Sequence, residues 1–200
     1  MSSIAYLHNW HGPGPAALTG GDTPACACLP LYALETQATA RWRALLVPAH
    51  TDQRYLASQR AWLDSYLAAG GTLVVNGHVA HPFLRWLRPF VPAPAHGLDG
   101  LRVHPGHAHP IFAGVEPEDL TFRRGVAGFY ARGGNPPPDG AWVLNTLGPE
   151  RIPVDWLLTL PGGGRLLVHS GNDLWMFANS PDTTARVLPQ LLDWITSDPS

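Results

Sequence analysis

Two short apolar runs, residues 44–47 and 72–75, stand on either side of a segment with helical periodicity, and this arrangement constrains the chain more than any other feature. The first run is closed by Pro48 and the second opened by Gly70-Gly71, the length and bounds of buried strands. Between them Leu56, Leu63 and Leu67 share one stripe flanked by Trp62 and Tyr66, with Arg60 and Asp64 on its polar edge. Asp52 or Ser58 is suited to cap the start of this helix, and Gly70 to end it in the left-handed conformation. Strand, helix, strand over so short a span requires a parallel pair and a right-handed crossover. Both strands then finish at the same sheet edge, where ligands of open α/β sheets sit. That edge carries His50 and Asp52 after the first strand and Asn76, Gly77 and His78 after the second.

The rest of the chain supplies neighbours for this unit. Residues 3–7 read as an opening strand, and a parallel placement brings His8 to the same edge. The loop over 12–24 is long, but its glycines match neither a dinucleotide fingerprint nor a P-loop, so nucleotide binding is not expected there. A short strand within 25–34 is confined to a sheet edge by Pro30. A helix is expected over 80–87 with Pro82 in its first turn, then a strand over 101–104. Strands over 141–144, 154–160 and 165–169 follow, the last two joined by Pro161-Gly162-Gly163-Gly164 as a hairpin, which makes the late part of the sheet antiparallel. The closing helix is expected to start at Ser180 and Pro181, to bury Val187, Leu188, Leu191, Leu192 and Ile195, and to kink at Pro189.

Two hundred residues, 45% hydrophobic and 14% charged, suffice for one well-cored domain spanning 1–200. A net charge of -2 without a basic block argues against nucleic acid or an anionic membrane surface as partner. No apolar run reaches the roughly 20 residues that span a bilayer, and the opening residues lack a signal-peptide pattern, so a cytoplasmic protein is expected. Cys26 and Cys28 are too few for a disulfide framework; two small buried or half-buried thiols are the ordinary outcome, and a bare CxC is a weak sign of metal or redox chemistry.

GGTLVVNG after the helix, HPIFAGV in mid-chain, and PVDWLLTLPGGGRLLVHSGND followed by a terminal helix ending LLDWI are three further marks of the chain. In these stretches it resembles the glutamine amidotransferase-like superfamily and, within it, the ThuA-like (trehalose utilisation-like) proteins. The resemblance covers residues 40–200 and implies a flavodoxin-like three-layer α/β sandwich with a mostly parallel central sheet. Amidotransferases of this superfamily place a cysteine nucleophile in a G-x-C-x-G elbow after the strand matching 72–75. Here those positions read Asn76-Gly77-His78-Val79-Ala80, so cysteine-dependent glutaminase activity is not expected. ThuA-like proteins carry a histidine in a G-H-D turn after the last core strand, where this chain has Gly171-Asn172-Asp173, with His169 just before it.

His8, His50, His78 and His169 therefore gather with Asp52 and Asp173 at one edge. Three readings stay open: a divalent metal held by imidazoles and a carboxylate; His78 as a general base oriented by Asp52 or Asp173; or a pocket that binds without catalysing. Asn76, Gly77, His8, His50, Asn172, Arg124 and Trp175 are the candidate ligand contacts. Arg123 or Arg124 could fork a carboxylate or phosphate, or pair with Glu116, Glu118 or Asp119. Of the eight tryptophans, Trp10, Trp86, Trp156 and Trp175 are candidate stacking faces, Trp175 being placed nearest the pocket. His104, His107 and His109 do not stand at zinc-finger spacing and read as solvated loop residues. The expected function is an enzyme acting on a small polar metabolite such as a carbohydrate; the alternative is a catalytically silent ligand-binding or assembly module, with self-association left open.

Overall fold

The computed structural model describes residues 3–9, 12–20, 25–94 and 97–197. In chain order the elements are β1 (Ile4–His8), α1 (Ala16–Thr19), β2 (Ala27–Pro30), β3 (Ala44–Val47), α2 (Gln53–Ser58), α3 (Arg60–Ala68) and β4 (Thr72–Asn76). After them come β5 (Val91–Pro92), β6 (Val103–Pro105), α4 (Pro117–Thr121), β7 (Phe122–Arg123), β8 (Val126–Ala127) and β9 (Gly133–Gly134). The chain ends with β10 (Trp142–Leu147), β11 (Ile152–Thr159), β12 (Arg165–His169) and α5 (Val187–Thr196).

Eight strands form one sheet in the order β2-β1-β3-β4-β12-β11-β10-β6. The first five run parallel, and β11, β10 and β6 are antiparallel to their neighbours. Period-two alternation divides the side chains between two cores. Ala5, Leu7, Leu45, Val47, Leu73 and Val75 meet Leu56, Leu63, Tyr66 and Leu67 of α2 and α3. On the other face Ile4, Tyr6, Leu46, Val74 and Leu167 meet Val187, Leu188, Leu191 and Ile195 of α5. The result is a mixed α/β sandwich of three layers with a mostly parallel sheet.

The βαβ unit forms as expected, with two refinements. Its helix divides at Gln59 into α2 and α3. Asp52 caps the first, its carboxylate accepting from the N–H groups of Arg54 and Tyr55. The second ends in a Schellman arrangement: Gly70 at φ +92° lets the Gly70 and Gly71 N–H groups reach the carbonyls of Leu67 and Tyr66.

Elsewhere side-chain bonds displaced the expected elements. Residues 80–87 hold turns instead of a helix. Arg60 takes the carbonyls of Pro82 and Phe83, which a helix would have paired internally, while Gln53 holds the N–H groups of Ala80 and His81, which a helix over 80–87 would have left without an internal partner. The closing helix starts later than expected. Asp182 caps a single 3₁₀ turn, Thr183–Arg186, and α5 follows. Pro189 thus falls in the first turn of α5, where its missing N–H has no intrahelical partner to lose, and the helix runs on without a break. Pro30 does lie on an edge strand, and residues 160–164 do join β11 and β12 as a hairpin.

Candidate functional site

At the carboxyl edge of the parallel strands an open cleft of about 710 Å³ lies between three turns: residues 49–54 after β3, 77–81 after β4, and 171–172 after β12. Residues 128–132 form the remaining wall, with Phe129 and Arg132 among them. The polar side chains among its lining residues are His50, Thr51, Asp52, Gln53, Arg54, His78, His81, Arg132 and Asn172, the Thr51 hydroxyl being bound to the Pro48 carbonyl.

Side-chain amides fix these turns. Asn9 donates to the His50 carbonyl (2.7 Å) and accepts from the Asp52 N–H (3.2 Å), shaping the turn after β3. Gln53 donates to the His78 carbonyl (2.7 Å) while accepting from Ala80 and His81 (2.8 and 2.9 Å), which binds the second turn to α2. Asn135 grips the same turn from behind, accepting from Val79 N–H (3.0 Å) and donating to the Gly77 carbonyl (2.8 Å). Gly77 itself, at φ +88°, passes so near the β3 turn that a Cβ there would stand 2.6 Å from Ala49 Cα, which requires glycine. The mouth of the cleft is therefore pre-shaped before any ligand arrives.

Of the sequence-predicted residues, His50, Asp52, Gly77, His78 and Asn172 line the cleft together. Their states differ. His78 is exposed, stacks on Phe90 with ring centroids 3.6 Å apart, and has its pKa lowered by partial burial and by neighbouring His50. Asp52 is committed to its helix cap and to the Tyr32 hydroxyl (3.1 Å); the Tyr55 N–H above all holds its carboxyl below the ordinary value. Asn172 donates to the Phe129 carbonyl (2.7 Å), joining two walls.

Asn76 and Asp173 sit beneath the floor. Asn76 is buried, donating to the Val47 carbonyl and accepting from the Leu174 N–H, both at 3.1 Å. Asp173 accepts from the Ala49 N–H (2.7 Å); burial raises its pKa, against the pull of that bond and of the nearby His169 and His50 rings. Both carboxylates proposed as orienters thus hold backbone, and neither bonds to His78. His8 and Trp175 do not line the cleft: His8 is buried with its ring parallel to Tyr6, and Trp175 packs edge-on to Tyr6 in the core, where burial removes it as a stacking face. Arg124 occupies the turn between β7 and β8 at φ +51°, away from the cleft, and among the described residues neither it nor Arg123 makes an ion pair. Arg123 instead lies over the Phe129 ring at 3.9 Å and donates to the Met176 carbonyl. Trp10 lies outside the described residues.

Sequence reasoning missed Gln53, Arg54, His81, Phe129 and Arg132 as lining residues; the last two come from a segment with no periodicity to mark it. It also missed the polar assembly behind the cleft. His169 Nδ1 lies 2.6 Å from Asp155 Oδ1, and the other oxygen of that carboxylate accepts from the Tyr130 hydroxyl and from Asn145 (3.0 Å). All four side chains are buried, and His169 Nε2 has no hydrogen-bond partner among the described residues. An Asp within the apolar run Val154–Leu158 was the available signal.

No three His, Cys, Asp or Glu side chains among the described residues converge as metal ligands, so the imidazoles at this edge do not fit the expected donor set. Cys26 is buried, with burial pushing its thiol up to about 12, while Cys28 is exposed; both are free. No helix of the described residues is long and apolar enough to cross a membrane.

No family model matches the chain, and no curated protein matches it. Among solved structures the chain is similar to one described as "mmIFT52 N-terminal domain", with a TM-score of 0.54 and 12% identity over 88% of this chain and 86% of that one. At that identity the likeness is one of fold.

Proposed function

We propose that the chain is a ThuA-like member of the glutamine amidotransferase-like superfamily, flavodoxin-like in architecture, that binds a small polar metabolite such as a carbohydrate and has no cysteine-dependent glutaminase activity. The architecture is supported by the parallel part of the sheet, whose order β2-β1-β3-β4-β12 follows the flavodoxin-like pattern of first-comers placed either side of β1 and β3. A cytoplasmic location accords with this reading.

The observation that carries the binding role is the pre-shaped cleft at the strand ends, lined by polar groups whose turns are pinned by Asn9, Gln53 and Asn135. Binding is favoured over catalysis because Asp52 and Asp173, the two orienters available to His78, are both spent on backbone N–H groups. A general base needs a partner that fixes its tautomer, and His78 has a stacking ring in place of one. The enzyme reading retains one favourable feature: partial burial and His50 shift His78 toward the neutral imidazole, the form in which a general base acts.

The test is a panel of amides, esters and glycosides offered to the purified chain alongside His78→Ala. The binding reading expects no turnover with either protein. Turnover by the parent that disappears in His78→Ala would replace it with the enzyme reading.

A further inference from the structure

The two arginines of the cleft are held in the same way. Arg54 Nε donates to His81 Nε2 (3.3 Å), and Arg132 Nε donates to the Gly128 carbonyl (3.2 Å). The terminal amino groups of both guanidiniums make no hydrogen bond or ion pair with any described residue. Anchoring at Nε leaves the paired terminal N–H groups of a planar fork free, the geometry that matches the two oxygens of a carboxylate or phosphate.

The negative side of the same cleft is already used. Among the described residues Asp52 is its one lining carboxylate, and its oxygens are occupied by the N–H groups of Arg54 and Tyr55 and by the Tyr32 hydroxyl. Two guanidiniums thus face one satisfied carboxylate among the described residues, on a chain whose net charge is -2. A positive cleft on a slightly acidic protein concentrates anions locally.

We propose, resting on the binding reading above, that the cleft is selective for an oxyanion-bearing metabolite, a carboxylate or phosphate monoester of small polar type, with Arg54 and Arg132 as the groups that recognise the oxyanion. The neutral part of such a ligand lies along Phe129 and the His78 ring, and the oxyanion bridges the two walls that carry the arginines. Both arginines are exposed, so their attraction is sensitive to salt.

The experiment is titration of the full chain with inorganic phosphate, D-gluconate and D-glucose, read from the imidazole resonances of His50, His78 and His81. Saturable shifts with phosphate or gluconate, weakened at least about tenfold in Arg54→Gln and in Arg132→Gln and by raised salt, are expected. Arg88→Gln, an exposed arginine outside the cleft, should leave the titration unchanged. Response to phosphate alone assigns the phosphate source, and response to gluconate alone the carboxylate source. Glucose binding as well as gluconate, or anion binding indifferent to both arginine variants, overturns the oxyanion assignment while the cleft remains a binding site. Silence toward all three probes overturns both the assignment and the binding reading beneath it.

Discussion

The mouth of the cleft and the polar assembly behind it use the same residue types to opposite ends. At the mouth His50, His78 and His81 are exposed, and none bonds to a carboxylate of the described residues. Behind it Tyr130, Asn145, Asp155 and His169 are buried, and Asp155 accepts from all three of the others. The imidazole–carboxylate pair of this edge is therefore buried, and the imidazoles that solvent reaches have no carboxylate partner among the described residues. Proximity of histidine and aspartate in a sequence says nothing about which of these two uses will follow. Burial decides it, because a buried carboxylate has to collect donors whereas an exposed one can leave them to water.

The largest effect is expected where that need is greatest. Asp155→Ala leaves Tyr130, Asn145 and His169 buried without their shared acceptor, a loss on the order of 3–5 kcal/mol in urea or thermal unfolding. Asp155→Asn keeps the volume and one acceptor oxygen and should cost less, about 1–3 kcal/mol. A change below about 1 kcal/mol for Asp155→Ala would mean that the buried assembly contributes little, and the contrast with the mouth would collapse.

Between the buried and exposed extremes stands His109, in the turn expected to be solvated. It is half-buried, its Nδ1 accepts from the Ile111 N–H (3.3 Å), and it lies edge-on to Trp194. Burial, with a smaller push from Arg165, lowers its pKa from 6.5 to about 4. Because the folded value is the lower one, the unfolded chain takes up the proton first, and stability falls as pH drops from 6.5 toward 4. The cost has a ceiling of about 3 kcal/mol and, with solvent screening at a half-exposed ring, an expected size of about 1–2 kcal/mol. His109→Asn keeps a side-chain acceptor for the turn and removes the titration. Denaturant melts at pH 7 and pH 4.5 should show a smaller loss for this variant than for the parent; an equal loss would place the acid sensitivity elsewhere.

What was legible in the sequence follows the same division. The βαβ unit, the parallel order, the late antiparallel strands and the Asp52 cap all rest on periodicity and on local turn chemistry, which neighbouring residues determine among themselves. The turns over 80–87 do not: Arg60, far off in sequence, claims the Pro82 and Phe83 carbonyls that a local helix would have used, and Gln53 fixes the Ala80 and His81 N–H groups. The cleft itself was half legible. Strand ends placed His50, Gly77, His78 and Asn172 correctly at one rim, but the wall with Phe129 and Arg132 comes from an irregular segment whose course is set by tertiary bonds such as Asn172 to the Phe129 carbonyl. Trp175 and Asp173 turn inward because the 3₁₀ turn Leu174–Phe177 follows at once and packs on the core, which spacing along the chain does not encode.

The smallest stability effect belongs to His78, and it isolates what the mouth is for. Its ring is exposed and hydrogen-bonds to no described residue; its Phe90 stack is worth about 0.5–1.5 kcal/mol by the usual measure of aromatic pairs, nearer the lower end where solvent reaches the ring. The turn beneath it is held through backbone groups, by Gln53 at its carbonyl and by Asn135 at Gly77 and Val79, so removing the ring does not release the loop. His78→Ala should therefore shift the unfolding free energy by less than about 1 kcal/mol. His78→Phe keeps the stack and should lie closer still to the parent, while both variants lose whatever hydrogen bond the imidazole gives a ligand. If His78→Ala destabilises as strongly as Asp155→Ala, the exposed rim is part of the fold's support after all, and binding losses at this position would no longer report on a ligand.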